Sequence, residues 1–185
     1  MLVIAALVAV LGACDGNNSP QSDHSGHSDH NGADVTFAQQ MIPHHSQALD
    51  MARMVGAGGA GAKVTDLAKR IEGAQDPEIK LMTGWLNSWG ASVPTAMPGM
   101  PGMNHGTSVP GMMNDLDMKQ LAKAKGAEFD KLWLQLMIAH HQGAIDMSKT
   151  ELSQGNNANA KQLAQRIIDA QQAEITEMQG LLKAS

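Results

Sequence analysis

The chain has 185 residues, enough for one domain with tails, and its 43% apolar content can supply a core. A net charge of −5 with no basic stripe excludes nucleic acid as an expected partner. Aromatic residues make up only 3% and Tyr is absent, whereas methionine reaches 14 residues. Met is a flexible core filler and also a soft thioether ligand suited to Cu(I).

Residues 1–13 are continuously apolar or Gly. That is too short for a membrane span and right for the apolar region of a signal peptide, although positive residues ahead of it are missing. Leu11-Gly12-Ala13-Cys14 has the form of a bacterial lipobox, in which Cys14 is lipidated and anchors the mature chain to a membrane. A plain signal peptide with an incidental Cys is the alternative. No other Cys follows, which fits an oxidising compartment and an exported protein of the periplasm or outer cell surface. Residues 15–33 form a polar linker without apolar periodicity, expected to be disordered. It carries His24, His27 and His30, spaced by three. The tract reads either as a metal-binding segment or as a solvated tether.

Residues 34–185 predict helices throughout. The first runs from about Asp34, its candidate N-cap, to Val55, where a Gly-rich stretch breaks it. The second runs from about Ala62 to Trp89. A Met-rich loop, 91–115, follows. The next helical stretch begins near Asp115, is interrupted near Gly126 and ends near Leu152. A turn at 154–157 leads to a last helix over Asn159–Lys183. Pro43 and Pro77 fall inside the first two helices and should kink them.

Residues 37–86 recur at 133–182 with a constant offset of 96. Met41-Ile42-Pro43-His44-His45 returns as Met137-Ile138-Ala139-His140-His141, and Asp50-Met51 as Asp146-Met147. Gln75, Glu78 and Met82 return as Gln171, Glu174 and Met178. The domain is therefore expected to be all-α: a four-helix bundle made from a duplicated αα-hairpin (repeat 1 34–90, repeat 2 116–185) with a long Met-rich crossover.

Packing asks only for apolar residues of suitable size, so two copies retaining a His-His pair and a Glu need another reason. On the first helix Met41 and His45 share the inward stripe, His44 and Met51 flank it, and Asp50 faces away, a residue assigned with Asp146 to structural ion pairs or caps. Met137, His141, His140 and Met147 repeat this. On the second helix Leu67, Ile71, Ala74, Glu78, Met82, Trp85 and Trp89 share one face, with Gln75 beside it. Glu174 lies likewise among Leu163, Ile167, Ala170, Met178 and Leu181, with Gln171 beside it. A buried carboxylate needs a partner or a metal. Counted back from the turn, Glu78 lies nearer the level of Met41 than of His45. Two accounts compete: Glu bonds to His, Gln, Arg70 or Arg166 in a structural network, or Met41/His45 and Met137/His141 chelate metal with help from the flanking His44 and His140. In the crossover, Met97, Met100 and Met103 alternate with Pro-Gly and precede His105. A loop has no core to fill, which favours a soft-metal site there.

The segments around Met41–His45 and His140–Met147, with Gln75, Glu78, Ile79, Met82, Trp85 and Leu86 downstream, resemble the bacterial family catalogued as domain of unknown function 305. The resemblance covers roughly residues 34–184. It implies a ferritin-like bundle and, through similarity to the family's copper-binding, CopM-type members, an exported protein that binds copper or silver through His44, His45, Met41, Met51 and their second-copy partners. It also implies a role in buffering, sequestering or delivering metal, with a copper exporter or cuproprotein as a candidate partner. Neither copy has the Glu-x-x-His of catalytic ferritins, since Leu81 and Glu177 stand three after Glu78 and Glu174, so no enzyme is expected. The alternatives are a di-metal oxidase using Glu78, Glu174, His45 and His141, or an envelope interaction module with a structural polar core.

Overall fold

The structure, a computed structural model, describes residues 29–94 and 109–184. Cys14, His24, His27, Met97, Met100, Met103 and His105 lie outside the described residues. Helices α1 (Gly32–Gly58), α2 (Ala62–Ser88), α3 (Asp115–Lys123), α4 (Gly126–Gln154) and α5 (Ala158–Ala184) account for nearly all of them, and no strand occurs among them. The four long helices pair as hairpins, α1 with α2 and α4 with α5, and the hairpins meet where α1 packs on α4. Thus the two helices carrying His doublets face each other. The expected all-α bundle is what forms, with α3 as a short addition beside α1 and α4.

Local chemistry sets the ends, and it corrects several expected boundaries. Asn31, not Asp34, caps α1: its side chain accepts from the N–H groups of Ala33 and Asp34. Asp34 completes a capping box by accepting from the Asn31 N–H. At its other end α1 runs three residues beyond Val55, to Gly58, and stops at Gly59, whose φ of 65° suits a residue without Cβ. Helices α1 and α2 continue through Pro43 and Pro77. The expected interruption near Gly126 lies at Ala124-Lys125, and Gly126 (φ 54°) opens α4.

The repeat appears as an approximate two-fold relation. Asp34 is fully buried and accepts N–H bonds from Asn156 and Asn157 at the start of α5. Its counterpart Asp130 accepts the Gly61 N–H at the start of α2. Each hairpin thereby satisfies unpaired N–H groups at a helix start in the other, with a carboxylate at the positive end of the helix.

The core falls into two clusters built the same way. One contains Met41 and Met82 of the first copy with Met147 of the second. The other contains Met137 and Met178 of the second copy with Met51 of the first. The inward stripe of α2 follows Leu67, Ile71, Gln75, Met82 and Leu86, and that of α5 follows Leu163, Ile167, Gln171, Ile175 and Met178. Gln75 and Gln171 therefore take the inward places expected for Ala74 and Ala170, which are exposed. A bundle seam repeats every 3.5 residues, so a stripe drawn at 3.6 drifts off it.

Candidate metal centre

His44, His45, His140 and His141 are all fully buried at the meeting of the two hairpins. α1 packs against both α2 and α4, so His44 and Met51, expected on the shoulder of the stripe, face the second partner helix and are as buried as Met41.

His45 Nε2 lies 2.7 Å from Glu78 Oε2, and His141 Nε2 lies 2.6 Å from Glu174 Oε2. A carboxylate only accepts, so Nε2 carries the hydrogen in both rings. This corrects the expected level of Glu78, which faces His45 rather than Met41. Because α1 is longer than expected, the turn sits further along the chain and the pairing of α1 with α2 shifts. Arg70 is not the partner of Glu78; it bonds Asp66 and Glu177. Nor are the carboxylates enclosed as expected. Glu78 and Glu174 remain 22% and 16% exposed, reaching inward from the bundle edge.

The His44 Nε2–H donates to the Pro110 carbonyl oxygen, at 3.1 Å. Pro110 belongs to a return segment at the end of the crossover that lies across both copies. The Gln47 side chain holds this segment through two bonds, donating to Met113 O (2.9 Å) and accepting from Met113 N (2.7 Å). On α4, a Cβ built on Gly143 would lie 2.1 Å from Pro110 O. Gln47 and Gly143 are equivalent positions of the repeat, so this segment accounts for their difference: one copy grips it and the other makes room.

Each of His44, His45 and His141 thus has one ring nitrogen committed to an oxygen, while its Nδ1 is buried without a hydrogen-bond partner. Both nitrogens of His140 are also unpartnered. The His44 and His140 rings lie against each other, centroids 3.7 Å apart. Burial, followed by the nearby His45 and His141, pushes the His44 pKa down to about 3. Burial and the other three histidines hold His140 well below the usual imidazole range. Both rings are therefore neutral near pH 7, the form in which imidazole ligates metal.

Among the described residues no group of three or more His, Asp or Glu side chains is placed to hold an ion. The same helices bury several thioethers in the core. Met41 and His45 are one helical turn apart, as are Met137 and His141, and Met41, Met51, Met82, Met137 and Met178 are fully buried, with Met147 at 6% exposure. Met82 and Met178 were not among the expected ligands. Their signal was present: both follow the repeated Glu by four residues, on the same helix face. His30 belongs to the His tract, but its ring stacks on Trp89 at 4.7 Å beside Asp29, so this part of the tail is ordered against the bundle. Asp50 and Asp146 face outward with Arg53 and Lys149, in the structural role expected of them.

Residues 34–182 match the family described as Domain of unknown function (DUF305). Among solved structures, a DUF305 protein of Streptomyces coelicolor, named as a secreted protein, is 34% identical, with a TM-score of 0.73 over 82% of this chain and 93% of that one. CopM in its Cu(II)-bound form is 30% identical, with a TM-score of 0.69 over 82% of this chain and 96% of that one. CopM is also known in Cu(I)-bound and silver-bound forms. The uncharacterized protein L153 of Acanthamoeba polyphaga mimivirus is 47% identical over 53 residues, a match that spans 35% of that protein. Among the described residues no helix is long and apolar enough to cross a membrane.

Proposed function

We propose that this chain, which belongs to the DUF305 family, is an exported protein that binds copper or silver as cargo and buffers, sequesters or hands it on in the cell envelope. One observation carries the reading. Three buried imidazoles have one nitrogen fixed by a carboxylate or carbonyl and the other unpartnered, beside fully buried thioethers. An unpartnered buried acceptor is costly in a purely structural core. A ligating His usually has its second ring N–H held by a carboxylate or carbonyl, the role taken by Glu78, Glu174 and Pro110. The likeness to CopM, known with Cu(I), Cu(II) and silver, supports the choice of metal.

On this reading Met41, Met82 and Met147 with His45 serve one copy, and Met137, Met178 and Met51 with His141 serve the other. His44 and His140 lie between them. Thioether donors select the soft ions Cu(I) and Ag(I), and imidazole also accepts Cu(II). Glu78 and Glu174 orient ligands rather than bind metal, so the chain is a carrier and not a di-metal oxidase. The His-rich tail and the Met97, Met100, Met103 and His105 loop belong to the same proposal as outer sites that gather metal, and lipidation at Cys14 would keep them at a membrane surface.

The test is a titration of the full chain with Ag(I) and with Cu(I), read by native mass spectrometry against a competing chelator. Replacing Met41 and Met137 by Leu preserves volume and removes sulfur. We expect the wild type to retain metal and the double variant to lose the two core equivalents while keeping its helix content. A wild-type chain that retains none would overturn the reading and leave the Glu–His pairs as structural network.

A further inference from the structure

The two copies differ on their outer flanks. Between the N-terminal half of α1 and the C-terminal half of α4 lies a cleft of about 390 Å³, lined by Thr36, Gln40, Asp146, Met147, Thr150 and Glu151 among others. Met147 forms part of its wall and also belongs to the buried cluster with Met41 and Met82. The cleft therefore runs from solvent to a thioether of the core.

Across the approximate two-fold the same positions hold different chemistry. Thr36, Gln40, Thr150 and Glu151 correspond to Leu132, Leu136, Met54 and Val55. All four of those apolar side chains pack on the core cluster that contains Met51. The neighbouring Trp133 is fully buried and its Nε1–H donates to Met51 O at 2.9 Å. Leu121 of α3 joins this cluster from outside. Accordingly Met51 is fully buried, whereas its twin Met147 keeps 6% of its surface.

We infer that this cleft is the port through which Cu(I) or Ag(I) enters the bundle to reach Met147 and Met41, and that the equivalent route to Met51 and Met137 is closed by apolar side chains. The inference rests on the metal-binding reading above. Neutral oxygens of Thr36, Gln40 and Thr150 can replace a cation's water in steps, and the Asp146 carboxylate at the wall favours positive charge. On the other flank Asp50 repeats Asp146, but the packed Leu and Met side chains offer no such oxygens. Metal then reaches the second methionine cluster only through the first or by opening of the bundle.

The experiment uses the full chain and Ag(I) as probe. Trp85 packs against the Met41 cluster, so stopped-flow tryptophan quenching reports arrival. In one variant Thr36→Leu, Gln40→Leu and Thr150→Met copy the closed side; Gln40→Leu alone is the milder form if the triple variant folds poorly. We expect the fast phase of uptake to slow by roughly tenfold in the triple variant with unchanged final stoichiometry. Unchanged uptake kinetics would overturn the port. A second measurement needs no metal. In dilute peroxide, peptide-resolved mass spectrometry of the wild type should show Met147 oxidised well before Met51, and the variants should narrow that difference. Equal oxidation of the two in the wild type would overturn the port even if the chain proved to bind no silver, which would instead count against the metal-binding reading.

Discussion

Glu151 is expected to make the fold weaken in alkali. Its side chain is 1% exposed, and burial, followed by the nearby Asp34, raises its pKa to about 8. Asp34 is itself raised by burial, but the neighbouring Glu151 and the N–H groups of Asn31, Asn157 and Asn156 leave it below its ordinary value. Near pH 7 Glu151 thus keeps its proton beside an ionised Asp34. A carboxyl whose folded pKa exceeds its unfolded value stabilises fully below the unfolded value and loses that contribution as pH rises to the folded one. With an unfolded value near 4.5 and a folded one about 8, stability should fall by about 2.5 kcal/mol between pH 6 and 9. For a domain of this size that is a drop in Tm of about 5–10 °C. Glu151→Gln keeps the size and polarity of the neutral side chain and cannot ionise. Its Tm at pH 6 should lie near that of the wild type and should fall much less by pH 9. Differential scanning calorimetry of both chains across that range decides it, and parallel declines would refute the raised Glu151 pKa.

Acid should weaken the metal-free fold through a different group. His44 titrates at about 3 when folded, so its contribution is full above the unfolded value near 6.5 and is lost as pH falls toward 3, costing about 2 kcal/mol at pH 5; urea midpoints at pH 7.5 and 5 measure it. Gly143→Ala drives a Cβ into Pro110 O and should cost about 1–3 kcal/mol with faster hydrogen exchange at the Met113 N–H, whereas Gly73→Ala, where a Cβ meets open space, should be neutral or slightly stabilising. Asp130→Ala removes the acceptor of the Gly61 N–H and should cost about 1 kcal/mol in thermal unfolding.

The architecture could be read from the sequence because duplication at a fixed offset is a long-range signal that needs no register. The His doublets, the repeated Glu and the Met positions came with it. Quantities depending on register did not. Three extra residues of α1 moved Glu78 from Met41 to His45, and the choice between a 3.5 and a 3.6 period exchanged Gln75 with Ala74. The hold of Gln47 on Met113 and of His44 on Pro110 joins residues 66 apart through a turn no local pattern encodes. Glu151 stands out only when the repeats are aligned: an acid stands where the first copy has Val55. Asp34 is expected to cap its own helix, but Asn31 does so, and most of the bonds of Asp34 go to a helix start more than 120 residues away.

Those exchanged caps have a consequence for how the chain assembles. Asp34 serves α5 and Asp130 serves α2, so a hairpin on its own leaves a helix start unserved and one methionine missing from its cluster. The halves behave as two gloves clasped rather than two beads on a string. Association of residues 29–94 with 109–184 and folding of either should therefore be one event. If the crossover opened between two chains, every cap and cluster could form again in a hairpin-exchanged dimer, with the same contacts and a different count of chains.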